Sequence, residues 1–441
     1  MSHHTQEKTG LNLRSHLIRG TLGSMMLKTS HLGAALLLSI VMARLLGVEG
    51  FGVYVFCISL IQFFVIPAML GGQHILVREV AAYQSQEAFQ HLKGLLLRFR
   101  QLSITISICL ALLAAGLGLW FYRDSPILIP FLAALLIIPF KALMELQGAS
   151  LRGLRHVLLG QVAHTLYPTM VIVLVGGMFW LTRGNLDPAG ALSAHVLSAL
   201  VLVGAGYIVL QRALPEQTKQ IPPKYDTHRW IKSVLPFIFL GGMQVLNKET
   251  PVVLLGILHE ADQAGLYRVA ERGAALVSFG LLAVNMTIAP TVSRMVSNGE
   301  YRRLQRLIHK SMLAILGFAL PVALVLLLMG PWLLSIAFGQ EYVPAYKPMA
   351  ILCIGQLINS GMGSVALILN MAGLETITAR GVAVAAAAGL VLHALLIPTW
   401  GIEGAAVAAV CSLATWNILL CVALYKKTGI ISIYLPGLGR G

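Results

Sequence analysis

The stretch Arg44-Leu45-Leu46-Gly47-Val48-Glu49-Gly50-Phe51-Gly52-Val53-Tyr54 interrupts two apolar runs, 24–46 and 50–71. Each run is long enough to cross a bilayer, whose hydrocarbon core of about 30 Å needs about 20 apolar residues per helix. Glycine and an acid between two such runs read as a tight turn at the water boundary. Working outward, further runs occupy 99–121, 126–146, 159–182, 188–211, 234–258, 265–290, 311–337, 346–371, 378–397 and 402–425. Little chain remains outside these runs. The expected fold is an all-α polytopic membrane protein with 12 transmembrane helices.

Composition points the same way. Hydrophobic residues make up 57% and charged residues 11% of the 441, against about a quarter charged in soluble domains. The net charge of +15 would suit nucleic acid, but its placement argues for a membrane. With the N-terminus taken as cytoplasmic, most basic residues fall in inner segments, among them Arg78, Lys93, Arg98, Arg100, Arg155, Lys224, Arg302, Arg303 and Lys426. The outer turns carry mostly acids: Glu49, Asp124, Asp187, Glu260, Asp262, Glu341 and Glu403. This is the positive-inside bias. It predicts a multi-pass membrane protein with both termini in the cytoplasm. Nucleic acid is not an expected partner; the lipid bilayer is.

The polar segment 212–233, with Pro215, Pro222 and Pro223, reads as an exposed cytoplasmic linker. It divides the chain into an N-terminal lobe, 1–211, and a C-terminal lobe, 234–441, each with six helices. The halves echo one another. Glu49-Gly50-Phe51-Gly52-Val53-Tyr54 precedes the second run and Asp262-Gln263-Ala264-Gly265-Leu266-Tyr267 the eighth. A shorter echo pairs Gly47-Val48-Glu49-Gly50 with Gly401-Ile402-Glu403-Gly404. A repeated helix set starting from the same side is a parallel pseudo-repeat, one of the known transporter plans. Segments 78–98 and 292–310 look amphipathic and are expected on the inner membrane surface.

Charge within a span is expensive and faces a bundle interior or a wet cavity. The seventh run carries Gln244 and Asn247-Lys248-Glu249-Thr250-Pro251 near its middle. Neighbours on a helix point about 100° apart, so Lys248 and Glu249 are expected to meet partners on other helices. Pro251 lacks a backbone donor and is expected to open the helix near Asn247. The eighth run opens with Arg268, Glu271 and Arg272 on one face. Arg268, like Arg44 near the outer end of the first run, is placed to snorkel toward water. Arginine suits phosphate because its planar fork donates paired hydrogen bonds. The candidate substrate-binding residues are therefore Arg44, Gln244, Asn247, Lys248, Arg268 and Arg272, and the candidate ion-coupling acids are Glu249 and Glu271.

Enzyme signatures are missing: there is no phosphate-binding Walker loop, no His-Glu-x-x-His and no Gly-x-Ser-x-Gly. No catalytic residue, metal or cofactor is expected, and the protein is read as a non-enzyme.

The opening motif from Arg44 to Tyr54, with Gly71-Gly72 and Val77-Arg78-Glu79 after it, resembles the oligosaccharide or O-antigen flippases. So do Ala264-Gly265-Leu266-Tyr267 with Asn285 and Pro290, and Pro398-Thr399-Trp400-Gly401-Ile402-Glu403-Gly404-Ala405-Ala406. These polysaccharide-biosynthesis transporters share a superfamily with multidrug and toxin extruders and lipid II flippases. The resemblance covers essentially the whole chain and rests on the order and spacing of short motifs. It implies two six-helix lobes in a V, with a cationic lumen to which Arg44, Lys248, Arg268 and Arg272 contribute. It implies a cargo of undecaprenyl-diphosphate-linked oligosaccharide moved to the outer leaflet for surface polysaccharide assembly, coupled to H⁺ or Na⁺. A polysaccharide polymerase and chain-length machinery are the implied protein partners. The alternatives are a multidrug or organic-cation antiporter of the same superfamily, then a membrane glycosyl polymerase or ligase. The cationic surplus argues against the first and the short outer loops against the second.

Overall fold

The computed structural model describes residues 2–432, and among them it is helical throughout, without strands. In chain order the helices are α1 (Ser2–Met69), α2 (Gly72–Ser85), α3 (Phe89–Phe121), α4 (Leu128–Leu135), α5 (Ile137–Gly153), α6 (Leu159–Leu181) and α7 (Pro188–Ala213). Then come α8 (Glu216–Gln220), α9 (Thr227–Leu258), α10 (Ala261–Ala275), α11 (Phe279–Ser297) and α12 (Tyr301–Ala337). A 3₁₀ turn, Gln340–Ala345, leads to α13 (Tyr346–Met362), α14 (Val365–Met371) and α15 (Glu375–Thr428). By length and apolar character, eight of the described helical stretches can cross a membrane, or nine if the bent pair α13–α14 counts as one. Large apolar side chains point outward, including Trp120 at 82% exposure, Trp180 at 80% and Leu328 at 73%. In water such a surface is a liability; against lipid it is expected, with tryptophan favoured near the interfaces.

Two helices are much longer than a bilayer is thick, and each breaks at a glycine. In α1 the break is Gly47 (φ 68°), and in α15 it is Gly401 (φ 54°). Only glycine adopts such a backbone readily. These glycines open the two copies of the Gly-x-Glu-Gly echo. A break frees carbonyl oxygens of the preceding turn. At the first, the Tyr342 hydroxyl lies 3.1 Å from Ala43 O and 2.9 Å from Gly47 O. Near the second, His259 Nε2 lies 2.9 Å from Ile397 O.

The chain packs as two compact units. The first comprises Met1–Val41 with Ile61–Gly241, the second Met42–Leu60 with Gly242–Gly441. The division falls inside α9 and assigns the segment after Val41 to the second unit. In the first unit a core of Leu76, Leu92, Leu95, Phe99, Leu146 and Trp230 joins α2, α3, α5 and α9. In the second, Val292, Leu304, Ile308, Ile368 and Leu424 join α11, α12, α14 and α15.

Three expectations change. The segments 78–98 and 292–310 are not separate surface helices. Each is the end of one helix, a turn, and the start of the next. Their apolar face packs inward, with Leu92 and Leu95 in one core and Leu304 and Ile308 in the other. The linker is not free either. Lys224 donates its backbone N–H to Gln90 O at 3.0 Å, Lys93 Nζ reaches Ile221 O at 2.9 Å, and buried Trp230 donates to the Tyr83 hydroxyl at 3.1 Å. Gly94 permits this contact: a Cβ there would sit 1.9 Å from Lys224 O. Finally, α9 runs as helix through Pro251 without a break, since one missing backbone bond is tolerated within a bundle.

Candidate functional site

The site builds from the two echo motifs, which pack on each other in the second unit. A Cβ on Gly52 would lie 1.9 Å from Ala261 O, and one on Gly265 would lie 3.1 Å from Gly52 Cα. Two glycines thus allow the backbones of α1 and α10 to touch. This contact brings Tyr54 and Ser59 on α1 alongside Arg268 and Arg272 on α10, with Glu249 on α9 completing the group.

At its centre, Arg268 is 6% exposed. Its Nη2 lies 2.5 Å from Glu249 Oε2 and donates to Ser59 Oγ at 2.7 Å. Nη1 lies 2.6 Å from Glu271 Oε2. Glu249 is itself buried, and Glu271 is half-buried. Arg268 therefore does not snorkel. It is held inward by two carboxylates and a hydroxyl, which compensate the desolvation that would otherwise drive it toward water.

Lys248 also departs from expectation. Its Nζ lies 3.4 Å from the neighbouring Glu249 Oε1, while its side chain is 60% exposed. The flexible four-carbon stem lets the ammonium reach around the helix despite the backbone angle. Gln244, one turn earlier, is exposed as well. Asn247 Oδ1 lies 3.3 Å from Ser412 Oγ on α15, which donates to Ala385 O at 2.8 Å.

Arg44 stands apart from this group. Its Nε donates to Ala337 O at 2.8 Å, and its Nη2 to Ile336 O. These are carbonyls at the C-terminal end of α12, where helix carbonyls lack intrahelical partners and a cation is favoured. It caps α12 while remaining exposed, as a snorkelling position would.

Arg272 has no ion pair among the described residues, and its buried Nε has no hydrogen-bond partner. The group thus contains three cations, Lys248, Arg268 and Arg272, against the acids Glu249 and Glu271. It carries a net positive charge, with one arginine uncommitted. A part-buried guanidinium whose Nε lacks a partner and which has no close carboxylate pair is suited to an anion.

Ser59 was not legible as a partner, because a serine in an apolar run carries no signal. The first unit holds a second polar group: His164 Nδ1 lies 3.0 Å from Glu145 Oε1, and the His31 ring stacks on His164 at 4.3 Å. Tyr167 and His195 meet at 2.9 Å. His195 is buried and His164 exposed, and their distant sequence positions give no spacing that connects them.

Long apolar helices around a buried ion-pair network define a membrane-type helical protein. The comparisons narrow the class. Residues 17–296 match the family described as "Polysaccharide biosynthesis protein". The chain belongs to that family. It is similar to the "Probable low-salt glycan biosynthesis flippase Agl15" of Haloferax volcanii, 26% identical over 253 residues, covering 56% of this chain and 52% of that one. It is similar also to the "Putative O-antigen transporter" of Shigella flexneri, 23% identical over 338 residues, covering 72% and 76% respectively. The match with the first thus spans about half of that protein's length.

Among solved structures, the lipid II flippase MurJ in an inward closed conformation superposes with a TM-score of 0.72 at 11% identity, covering 92% of this chain and 87% of that one. An inward-facing multidrug transporter of the MATE family gives 0.70 at 12% identity, covering 91% and 94%. At these identities the likeness is one of fold.

Proposed function

We propose that the protein is a flippase for undecaprenyl-diphosphate-linked oligosaccharide, moving it from the inner to the outer leaflet of a bacterial cytoplasmic membrane. The observation that carries this reading is Arg272, at depth, without a carboxylate of its own, beside the saturated Arg268 pair. A diphosphate cannot enter hydrocarbon unpaired. A fixed guanidinium offers it a fork of donors, with exposed Lys248 and Gln244 available for further charge and for sugar hydroxyls. Family membership supports the cargo class.

An organic-cation extruder would need an acid free to meet its cargo. Here both Glu249 and Glu271 already face Arg268, which disfavours that reading.

Twelve crossings follow if α1 and α15, broken at Gly47 and Gly401, each supply two. The remainder come from α3, α4–α5, α6, α7, α9, α10–α11, α12 and α13–α14. Both termini are then cytoplasmic, in accord with the charge asymmetry. Transport proceeds by ion-coupled alternating access, with Glu249 exchanging H⁺ or Na⁺.

The test is Arg272→Ala in cells that depend on this gene for surface polysaccharide. The reading expects polysaccharide to be lost while the protein stays inserted and abundant. Undiminished polysaccharide would remove Arg272 from the site and the cationic-cradle reading with it.

A further inference from the structure

The chain does not leave the second unit where α15 ends. Gly429, with φ 70°, donates its N–H to Tyr425 O at 2.9 Å. A glycine in this left-handed conformation stops a helix and turns the chain. Ile430 N–H then donates to the Thr428 hydroxyl at 3.3 Å. Its side chain is 3% exposed, in the core with Leu304, Ile308, Ile368 and Leu424. Ile431 is gripped at both backbone groups by Gln305 on α12. Its N–H donates to Gln305 Oε1 at 3.0 Å, and its carbonyl accepts from Gln305 Nε2 at 2.5 Å. A backbone N–H can only donate, so this pairing fixes which way the amide points. The same Nε2 lies 3.1 Å from His309 Nε2, one turn along. Buried Ser432 sets its Oγ 3.3 Å from Cys421 Sγ on α15.

The first unit uses a different piece of chain in the same way. Helices α3 and α12 hold the third apolar run of their halves, 99–121 and 311–337, and each begins ten residues before its run. Their fourth residues, Leu92 and Leu304, are both fully buried. Their fifth residues, Lys93 and Gln305, each donate to the carbonyl of an isoleucine, Ile221 in one unit and Ile431 in the other. Each isoleucine follows the sixth apolar run of its half, which lies in α7 or at the end of α15. The linker adds the bond from Lys224 N–H to Gln90 O at 3.0 Å and one from Arg98 Nε to Thr227 Oγ1 at 3.0 Å. The correspondence between halves therefore runs past the last helix of each.

We infer that residues 429–432 form a strap that fastens the end of α15 to the start of α12, the second unit's counterpart of the linker on α3. Each unit then carries its own fastening, at the end where the charge asymmetry puts the cytoplasm. The grip on Ile431 consists of neutral hydrogen bonds, which contribute little singly, so the strap can release without separating charges.

Disulfide trapping in the full-length chain tests the strap. Cys421 is kept, the other native cysteines become alanine, and Ser432→Cys is added. Oxidised glutathione takes up the two electrons, and the two thiol protons go to glutathione and solvent. A 421–432 bridge should form and appear as a joined peptide by mass spectrometry. With Cys411 kept in place of Cys421, the partner lies about 15 Å further along the helix, and bridging should fall at least tenfold. Gln305→Ala and Ile430→Ser should each slow the 421–432 bridge about tenfold. Hydrogen exchange tests the correspondence: Gln305→Ala should speed it at 430–432 and not at 221–224, and Lys93→Ala should do the reverse. No bridge at 421, equal bridging at 421 and 411, or a rate indifferent to both substitutions would overturn the strap. The two cysteine positions decide this even if a substitution at Gln305 or Ile430 prevents folding. Exchange that rises in neither segment, or in both with either substitution, would overturn its likeness to the linker. None of these readouts involves transport, so they stand apart from the flippase reading.

Discussion

The contact between Gly52 and Ala261 makes a prediction whose size can be worked out. Gly52 sits in the second segment of α1, and a Cβ there would lie 1.9 Å from Ala261 O. Ordinary contact begins near 3.4 Å, so Gly52→Ala must push the backbones of α1 and α10 apart by about 1.5 Å. The obstructing atom is backbone, so no side-chain rotation relieves it. Overpacking of this kind costs about 1–3 kcal/mol, occasionally more. Alanine's better helix propensity returns about 1 kcal/mol. Net destabilisation is therefore expected. Gly33→Ala is the control: it lies on the same long helix, and its Cβ would meet nothing within 4 Å. Only the propensity gain applies there, so it should be neutral or stabilising. Thermal unfolding in detergent, followed by the fraction still monodisperse on size exclusion, measures both. Gly52→Ala should fall by roughly 2–4 °C for each kcal/mol lost, and Gly33→Ala should not fall. A Gly52→Ala protein as stable as the parent would refute the close approach, and with it the placement of Arg268 beside Ser59.

Arg268→Ala leaves Glu249 buried without its main counter-charge and should cost about 3–5 kcal/mol, seen as loss of folded protein from the membrane. Arg272→Ala should leave abundance unchanged, so the pair separates a structural arginine from a functional one. Glu249→Gln keeps the shape but removes the charge; in reconstituted vesicles it should bind cargo yet lose the response of transport to an imposed ion gradient. In a cysteine-free background, cysteines at Asp124 and Asp187 should react with an impermeant thiol reagent on intact cells, and one at Arg303 should not; reversed labelling would invert the topology.

The all-helical membrane character was legible because bilayer thickness fixes the length of an apolar run, and α6 and α7 begin where two of the apolar runs begin; eight or nine of the described helical stretches pass as spans, against twelve expected. The helix breaks were legible too. Gly47 and Gly401 open the same Gly-x-Glu-Gly echo, and both adopt a positive φ. Periodicity failed where a helix outlasts the hydrocarbon. Residues 78–98 and 292–310 have an apolar face, but an apolar face does not say whether it meets lipid or protein. Leu92 and Leu304 meet protein. The linker was half legible. Three prolines and mixed charge suggested an exposed connector, and Glu216, Pro222 and Lys224 are exposed, yet Gly94 also lets its backbone lie directly on α3.

The site was half legible, and the dividing line is physical. A charge in an apolar run announces itself, because the energetic penalty demands an explanation, so Lys248, Glu249, Arg268, Glu271 and Arg272 all stood out. What satisfies each charge is not written locally. Arg268 finds Ser59 across 209 positions and Glu249 across 19, while Arg44 finds the end of α12 across 293. The two echo motifs held the missing information. Each carries Gly-x-Tyr at the start of a helix, and the structure packs the two glycines together, setting Arg268 beside Ser59. Glycines that look like turn residues in one dimension are contact residues in three. The cluster therefore depends on the two echo motifs: their glycine contact also brings the charges together. A substitution that widens the glycine contact should disturb the ion-pair network without touching a charged residue.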